Sequence, residues 1–167
     1  MRLYLVRHPE TIHNKEYKLT GWEETKYTED GLNQFNKIVR YFRNYKEKIY
    51  SSDLKRCLDL ARAIQKESGS KLEVTKLLRE RNFEETQPLD HFETIEEFEN
   101  RVLSFQEKYN LNEGLIISHG GVIREMIKNY LNKELDYIQK EYMEWKRDII
   151  FEIETNKKRK IVSKIRV

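Results

Sequence analysis

Leu3-Tyr4-Leu5-Val6-Arg7-His8-Pro9 runs from an unbroken apolar segment straight into a cation, an imidazole and a proline. Residues 3–6 are few, apolar and rich in strand formers, the pattern of a buried strand. Pro9 suits the first turn of a helix, where its missing N–H is no loss. In open α/β sheets, ligands bind beyond the carboxyl ends of the strands. Arg7 and His8 therefore stand where a site would be built.

The same pattern returns near the other end of the chain. Leu115-Ile116-Ile117-Ser118 predicts a strand that ends in His119-Gly120-Gly121 and runs into a helix from Val122 to Leu131. Between the two, short apolar runs alternate with helical periodicity. Glu10 to Glu16 is expected to form a short helix, and Lys18 to Lys26 a polar loop. Thr28 caps a helix over roughly 30–47, with Leu32, Phe35, Ile38, Val39 and Phe42 at helical spacing. Ile49 to Ser52 predicts a strand. Asp53 is expected to cap the next helix, which carries Leu54, Leu58, Ala61 and Ile64 and stops near Ser68-Gly69. Leu72 to Leu78 predicts a third strand, and the aperiodic charged stretch from Glu80 to His91 a loop. Thr94 opens a helix through about Tyr109 with Phe98, Val102 and Phe105 inward. One more helix is expected over 134–144. The tail alternates at Ile149, Phe151 and Ile153, then at Ile161 and Ile165, and predicts an edge hairpin turning at Asn156-Lys157. Strands alternating with helices give an α/β fold. We expect a three-layer sandwich, with a mostly parallel central sheet, helices on both faces and the C-terminal β-hairpin.

The 167 residues are expected to form a single domain, 1–167. With 32 basic and 29 acidic residues the net charge is only +3, too small to argue for nucleic acid. The basic run 157–160 falls at the expected turn and reads as solvated. The single cysteine, Cys57, allows no internal disulfide and fits a reducing compartment. No stretch is apolar for long enough to span a membrane. The first expected strand starts at residue 2, leaving no room for a signal peptide. A cytoplasmic protein, monomeric or homodimeric, is expected.

Three predicted strands end in polar residues: Arg7-His8, Ser51-Ser52 and Ser118-His119. If these strands are parallel neighbours, the groups converge on one sheet edge. The second helix adds Arg56 and the loop after the third strand adds Glu80. Arginine forks and helix N-termini both bind phosphate oxygens. A neutral imidazole is a nucleophile, and a carboxyl can protonate a leaving oxygen. The sequence shows no aspartate cluster, His/Cys ligand set or lysine-bearing phosphate loop. The implied chemistry is phosphoryl transfer through histidine, with no metal and no cofactor.

These motifs carry a resemblance. Leu5-Val6-Arg7-His8 with Glu10 and Asn14 resembles the Arg-His-Gly signature of the histidine phosphatase superfamily, the phosphoglycerate mutase-like group. Thr20-Gly21-Trp22 and Thr28-Glu29-Asp30-Gly31 resemble that family's loop and next helix start. Ser52-Asp53-Leu54-Lys55-Arg56 resembles its Ser-Xaa-Leu-Xaa-Arg segment, and Leu78-Arg79-Glu80-Arg81 the segment with its acid. Ser118-His119-Gly120-Gly121 resembles its second histidine motif. These motifs, in this order, cover nearly the whole length.

The resemblance implies roles. His8 would take the phosphoryl group; Arg7, Arg56 and His119 would hold its oxygens; Glu80 would be the acid and then the base. Asn14, Thr20, Gly21 and Gly120 would be further substrate contacts. The substrate would be the phosphate monoester of a small metabolite. The chain departs from the family pattern at Pro9, where glycine is usual, and at Glu84-Glu85-Thr86-Gln87, which replaces a Gly-Xaa-Trp-Glu-Gly run. The stretch from Glu80 to Thr94 is also shorter than the insertion that covers the substrate in the family's mutases. The short stretch favours a phosphatase. Two other readings stay open: a phosphoglycerate-mutase-like phosphotransferase, and a non-catalytic phospholigand-binding domain of the same fold.

Overall fold

The computed structural model of the chain describes residues 2–83, 92–109, 111, 113–134, 138, 140, 149–155 and 160–167. Six strands make one sheet: β1 (Arg2–Arg7), β2 (Ile49–Ser52), β3 (Leu72–Thr75), β4 (Gly114–Ser118), β5 (Ile149–Thr155) and β6 (Lys160–Arg166). Their order is β3-β2-β4-β1-β5-β6. The first four in that order are parallel, while β5 and β6 are antiparallel additions. The helices are α1 (Ile12–Lys15), α2 (Glu29–Tyr41), α3 (Lys55–Ser68), α4 (Ile95–Tyr109) and α5 (Gly120–Leu131).

Alternation along the strands sorts the core into two faces. Leu5, Ile116 and Phe151 pack with Phe105 of α4 and Met126 of α5. Val6, Ile117 and Ile150 pack on the other side, with Ile38 of α2 and Leu60 of α3. The sheet is thus the middle of three layers, as expected for this α/β sandwich. Its central strand β4 is buried at every position, which is why 115–117 reads as a continuous apolar run. Each fully buried aliphatic side chain contributes about 1.5–3 kcal/mol.

Element ends differ from the sequence expectation in instructive places. The first helix is confined to Ile12–Lys15 because Glu10 is occupied elsewhere. Its amide donates to the Gln34 side chain, while its carbonyl and carboxylate accept from the Thr28 N–H and hydroxyl. Thr28 does cap α2, accepting from the Gly31 N–H at 3.0 Å. A Cβ on Gly31 would sit 2.0 Å from the Glu10 carbonyl oxygen, so only glycine lets α2 approach the loop after β1. The helix then stops at Tyr41 rather than near residue 47, and Phe42 and Tyr45 turn edge-on to Tyr4. Asp53 is not the α3 cap. Leu54 occupies that position, and both Asp53 carboxylate oxygens accept from Arg79, at 2.7 and 2.6 Å. Glu24 supplies the missing cap from the loop between α1 and α2, accepting from the Lys55 N–H at 3.1 Å. The third strand ends at Thr75, whose side chain accepts from the Leu77 N–H and turns the chain into a 3-10 turn over Lys76–Leu78. In β5, Ile150 is buried as fully as Ile153, because the strand lies inside the sheet with core on both faces.

Residues 84–91 of the expected loop, the turn at Asn156-Lys157, and most of the helix expected over 134–144 lie outside the described residues.

Candidate active site

The strands β2, β4 and β1 are parallel neighbours, and their carboxyl ends lie level. Arg7 pairs in register with Ser118, and Val6 and Ser51 with Ile117. The polar ends foreseen in the sequence therefore converge on one edge.

His8 is 3% exposed. Its N–H donates to the Ser118 carbonyl at 3.0 Å, which continues the β1–β4 pairing into the site. Its Nδ1 lies 2.9 Å from the carbonyl oxygen of Pro9. A carbonyl only accepts, so Nδ1 carries a proton and donates, and in the neutral ring the lone pair is on Nε2.

His119 stands beside it, the ring centroids 5.2 Å apart. It is completely buried. Its Nε2 lies 2.9 Å from Ser52 Oγ and 3.4 Å from Cys57 Sγ. Burial, and then the positive charge of Arg56 and other neighbours, push its basicity well below the ordinary histidine value. His119 is neutral at pH 7. The Cys57 thiol is likewise pushed up by burial and stays a thiol.

Arg56 projects from the first turn of α3 and is 2% exposed. Its Nη1 donates to the Glu23 carbonyl at 2.8 Å and its Nη2 to the Gly21 carbonyl at 2.7 Å. Its buried Nε has no hydrogen-bond partner among the described residues. Tyr27 braces the same turn by donating its hydroxyl to the Arg56 carbonyl. Arg7 lies against the start of α5, its guanidinium carbon 3.3 Å from where a Cβ on Gly120 would sit.

Glu80 reaches the same helix end. Its Oε2 accepts from the Gly121 N–H at 3.1 Å and its Oε1 from the Arg81 N–H at 3.0 Å. The Gly121 amide is one of the unpaired donors at a helix N-terminus. A Cβ on Gly121 would lie 2.3 Å from Glu80 Oε1, so the second glycine makes room for the carboxylate.

The structure thus brings Arg7, His8, Arg56, Glu80, His119 and Gly120 to one sheet edge, with Gly21 tied in through Arg56. Asn14 and Thr20 are different. Among the described residues their side chains make only local bonds, Asn14 accepting from the Thr11 N–H and Thr20 donating weakly to the Lys18 carbonyl.

Several supporting residues were not foreseen. Trp22 donates its indole N–H to the Glu80 carbonyl at 2.8 Å, and its amide donates to Asn82 Oδ1. Arg79, paired with Asp53, lies over the Trp22 ring at 4.6 Å. Arg101 on α4 and Glu93 before it lie behind the acid. Arg101 shares the inward stripe of Phe98, Val102 and Phe105, and an arginine in an apolar stripe is the signal that sequence reading could have used.

Among the described residues no group of three or more His, Cys, Asp or Glu side chains is placed to hold a metal ion. No helix among them is long and apolar enough to cross a membrane. An imidazole beside a neutral histidine, with two arginines and a carboxyl brought to the same sheet edge, can accept and release a phosphoryl group.

The chain belongs to the histidine phosphatase superfamily, branch 1, the phosphoglycerate mutase-like proteins: the model of that family matches residues 3–114. Its relatives are phosphatases or mutases. A Hydrogenobacter thermophilus protein provisionally named phosphoserine phosphatase 2 is 30% identical over 155 aligned positions, covering 75% of this chain and 76% of that protein. A Yersinia pestis protein named a probable phosphoglycerate mutase is 32% identical over 129 positions, covering 75% of this chain and 58% of that one. Among solved structures, the α-ribazole phosphatase of Shigella flexneri superposes with a TM-score of 0.78 at 19% identity, covering 100% of this chain and 96% of that one. The phosphoserine phosphatase of Entamoeba histolytica, in complex with 3-phosphoglyceric acid, gives a TM-score of 0.77 at 20% identity, covering 97% and 94%. At these identities the solved structures share the fold.

Proposed function

We propose that the protein is a phosphatase that hydrolyses phosphate monoesters of small metabolites through a phosphohistidine on His8. The observation that carries this reading is the bond from His8 Nδ1 to the Pro9 carbonyl. It leaves Nε2 as the nucleophile without any later proton removal.

In the first step the Nε2 lone pair attacks phosphorus and the ester P–O bond breaks. The leaving alkoxide takes a proton from the Glu80 carboxyl. In the second step water attacks the phosphorus of phospho-His8 and gives a proton back to the Glu80 carboxylate. The N–P bond breaks, its electrons return to Nε2, and orthophosphate leaves. Arg7, Arg56 and His119 hold the transferring oxygens, and the arginines offset their charge. Such preorganised donors are usually the largest single catalytic contribution. A neutral His119 serves as a hydrogen-bond donor and adds no charge that would compete with the arginines. Asn14, Thr20, Gly21 and the Gly120 amide are the further substrate contacts of this reading.

A phosphotransferase reading shares the first step and differs only in the acceptor. The relatives named as mutases and the Thr20-Gly21-Trp22 loop favour it.

The test is phosphate release from a panel of monoesters in the presence of a chelator, with His8→Ala alongside. The panel holds an aryl phosphate, phosphoserine, 3-phosphoglycerate and α-ribazole phosphate. Turnover that survives chelation and vanishes in His8→Ala is expected. Turnover retained by His8→Ala would overturn the phosphohistidine, and isomerisation of phosphoglycerate faster than its hydrolysis would make the protein a mutase.

A further inference from the structure

The Glu93–Arg101 pair lies behind Glu80 and binds the main chain of the segment that carries it. Its geometry is unusually complete. All five N–H donors of the Arg101 guanidinium have acceptors. Nη1 donates to the carbonyls of Leu77 at 2.9 Å and Arg79 at 2.8 Å. Nη2 donates to the carbonyl of Glu80 at 3.3 Å and to Glu93 Oε2 at 2.6 Å. Nε donates to Glu93 Oε1 at 2.6 Å. Both side chains of the pair are 14% exposed.

Glu93 holds the far side of the same segment. Its N–H donates to the Asn82 carbonyl, and its carboxylate accepts from the Asn82 N–H. Its own carbonyl accepts from Arg81 Nε at 3.0 Å. Beyond the 3-10 turn at Lys76–Leu78, whose last bond runs from the Arg79 N–H to the Lys76 carbonyl, this segment has no regular structure of its own. Arg101, its carboxylate partner and Trp22 bind its main chain, beside the Ser118 hydroxyl on the Leu78 carbonyl at 2.7 Å and the Arg79–Asp53 pair.

We infer that Glu93 and Arg101 are positioning residues for Glu80: they hold its main chain so that its carboxyl meets the leaving oxygen. The inference rests on the reading of Glu80 as the acid. It assigns to the pair an effect on leaving-group protonation, beyond any effect on folding. A carboxyl displaced by about 1 Å loses proton-transfer efficiency steeply, on the order of 10²-fold. Its loss matters little when the leaving group is already a good one.

The test is the rate of alcohol release in a single turnover, with enzyme in excess, on an aryl phosphate and on an alkyl phosphate. Single turnovers isolate the first step from hydrolysis of the phosphoenzyme. The chains are the parent, Glu80→Gln, Arg101→Lys, Glu93→Gln, and Arg101→Lys combined with Glu80→Gln. Arg101→Lys keeps the charge facing Glu93 but cannot span three carbonyls. If Arg101→Lys fails to fold by circular dichroism, Glu93→Gln carries the same comparison. The expected result is that Arg101→Lys and Glu93→Gln lose alkyl phosphate activity by about tenfold or more while aryl activity changes little. Added to Glu80→Gln, Arg101→Lys should cause no further alkyl loss. Equal losses on both substrates from folded Arg101→Lys, or additive losses in the double variant, would overturn the positioning role while leaving Glu80 as the acid. Equal losses in Glu80→Gln itself would instead overturn the acid assignment, and the positioning role with it.

Discussion

The Nδ1–H of His8 donates to the carbonyl oxygen of Pro9, its immediate neighbour in the chain, at 2.9 Å. The residue that departs from the family's usual glycine thus supplies the acceptor that sets the histidine tautomer. Any residue at position 9 has a carbonyl, so the bond depends on the backbone path and not on the proline ring.

Pro9→Gly should therefore keep turnover near that of the parent chain. It should lower stability by about 1 kcal/mol, because glycine leaves the unfolded chain more freedom. Thermal melting and phosphate release on the same preparation check both halves. A large loss of turnover with the fold intact would mean that the ring itself aims the carbonyl.

Arg56 serves the loop and the candidate phosphate site together, through the Gly21 and Glu23 carbonyls and its buried Nε. Arg56→Lys keeps the charge and loses the fork. Turnover should fall on the order of 10²-fold, the usual cost of removing one preorganised donor. Because the 20–24 loop loses its anchor, KM should rise as well. A fall in kcat with KM unchanged would show that the loop holds its place without Arg56.

Two glycines separate a site effect from a fold effect. Gly31→Ala would press a methyl against the Glu10 backbone, 2.0 Å away, where nothing flexible can give. It should destabilise the protein by about 3 kcal/mol or more. Gly121→Ala meets the end of the Glu80 side chain at 2.3 Å, which can swing aside. The fold should survive, while single-turnover release from an alkyl phosphate falls more than release from an aryl phosphate. Equal losses on the two substrates would remove Gly121 from the positioning of the acid.

His119 makes stability depend on pH with a definite sign. In the native state burial, with Arg56, His8 and Arg7 nearby, keeps it neutral well below the ordinary value near 6.5. In the unfolded chain it titrates near that value. Below about pH 6.5 the unfolded state binds a proton that the native state refuses, so stability falls as pH falls, by at most about 1.4 kcal/mol per pH unit. Above that value this contribution is flat. His119→Gln should flatten the melting temperature between pH 7 and 5 relative to the parent chain. An unchanged slope would place the titration elsewhere.

How much of this was readable in advance depends on the range of each interaction. The strand ending in Arg7-His8 and the one ending in Ser118-His119 were legible, because a buried parallel strand needs a continuous apolar run and a run is a local feature. Thr28 was legible as a cap because its acceptor role is satisfied three residues away, at Gly31. Asp53 was misplaced for the opposite reason. Its local pattern is that of a cap, but Arg79, distant in sequence, offers two charged hydrogen bonds in a half-buried place and takes the carboxylate. Burial alone would raise the Asp53 carboxyl, and the Arg79 fork lowers it below the ordinary value.

By itself the sequence determined the alternation of strands and helices and the residue types at the strand ends, since both follow from neighbours within a few positions. Only the tertiary structure decided which tautomer His8 holds, what seats the Glu80 carboxyl and what steadies the loop behind it. Those outcomes hang on where single carbonyls and amides come to rest. The Gly121 amide and the Arg101 guanidinium reach Glu80 from 41 and 21 residues away. Hydrogen bonds act over about 3 Å, and no pattern of neighbouring residues encodes a meeting at that distance between segments so far apart.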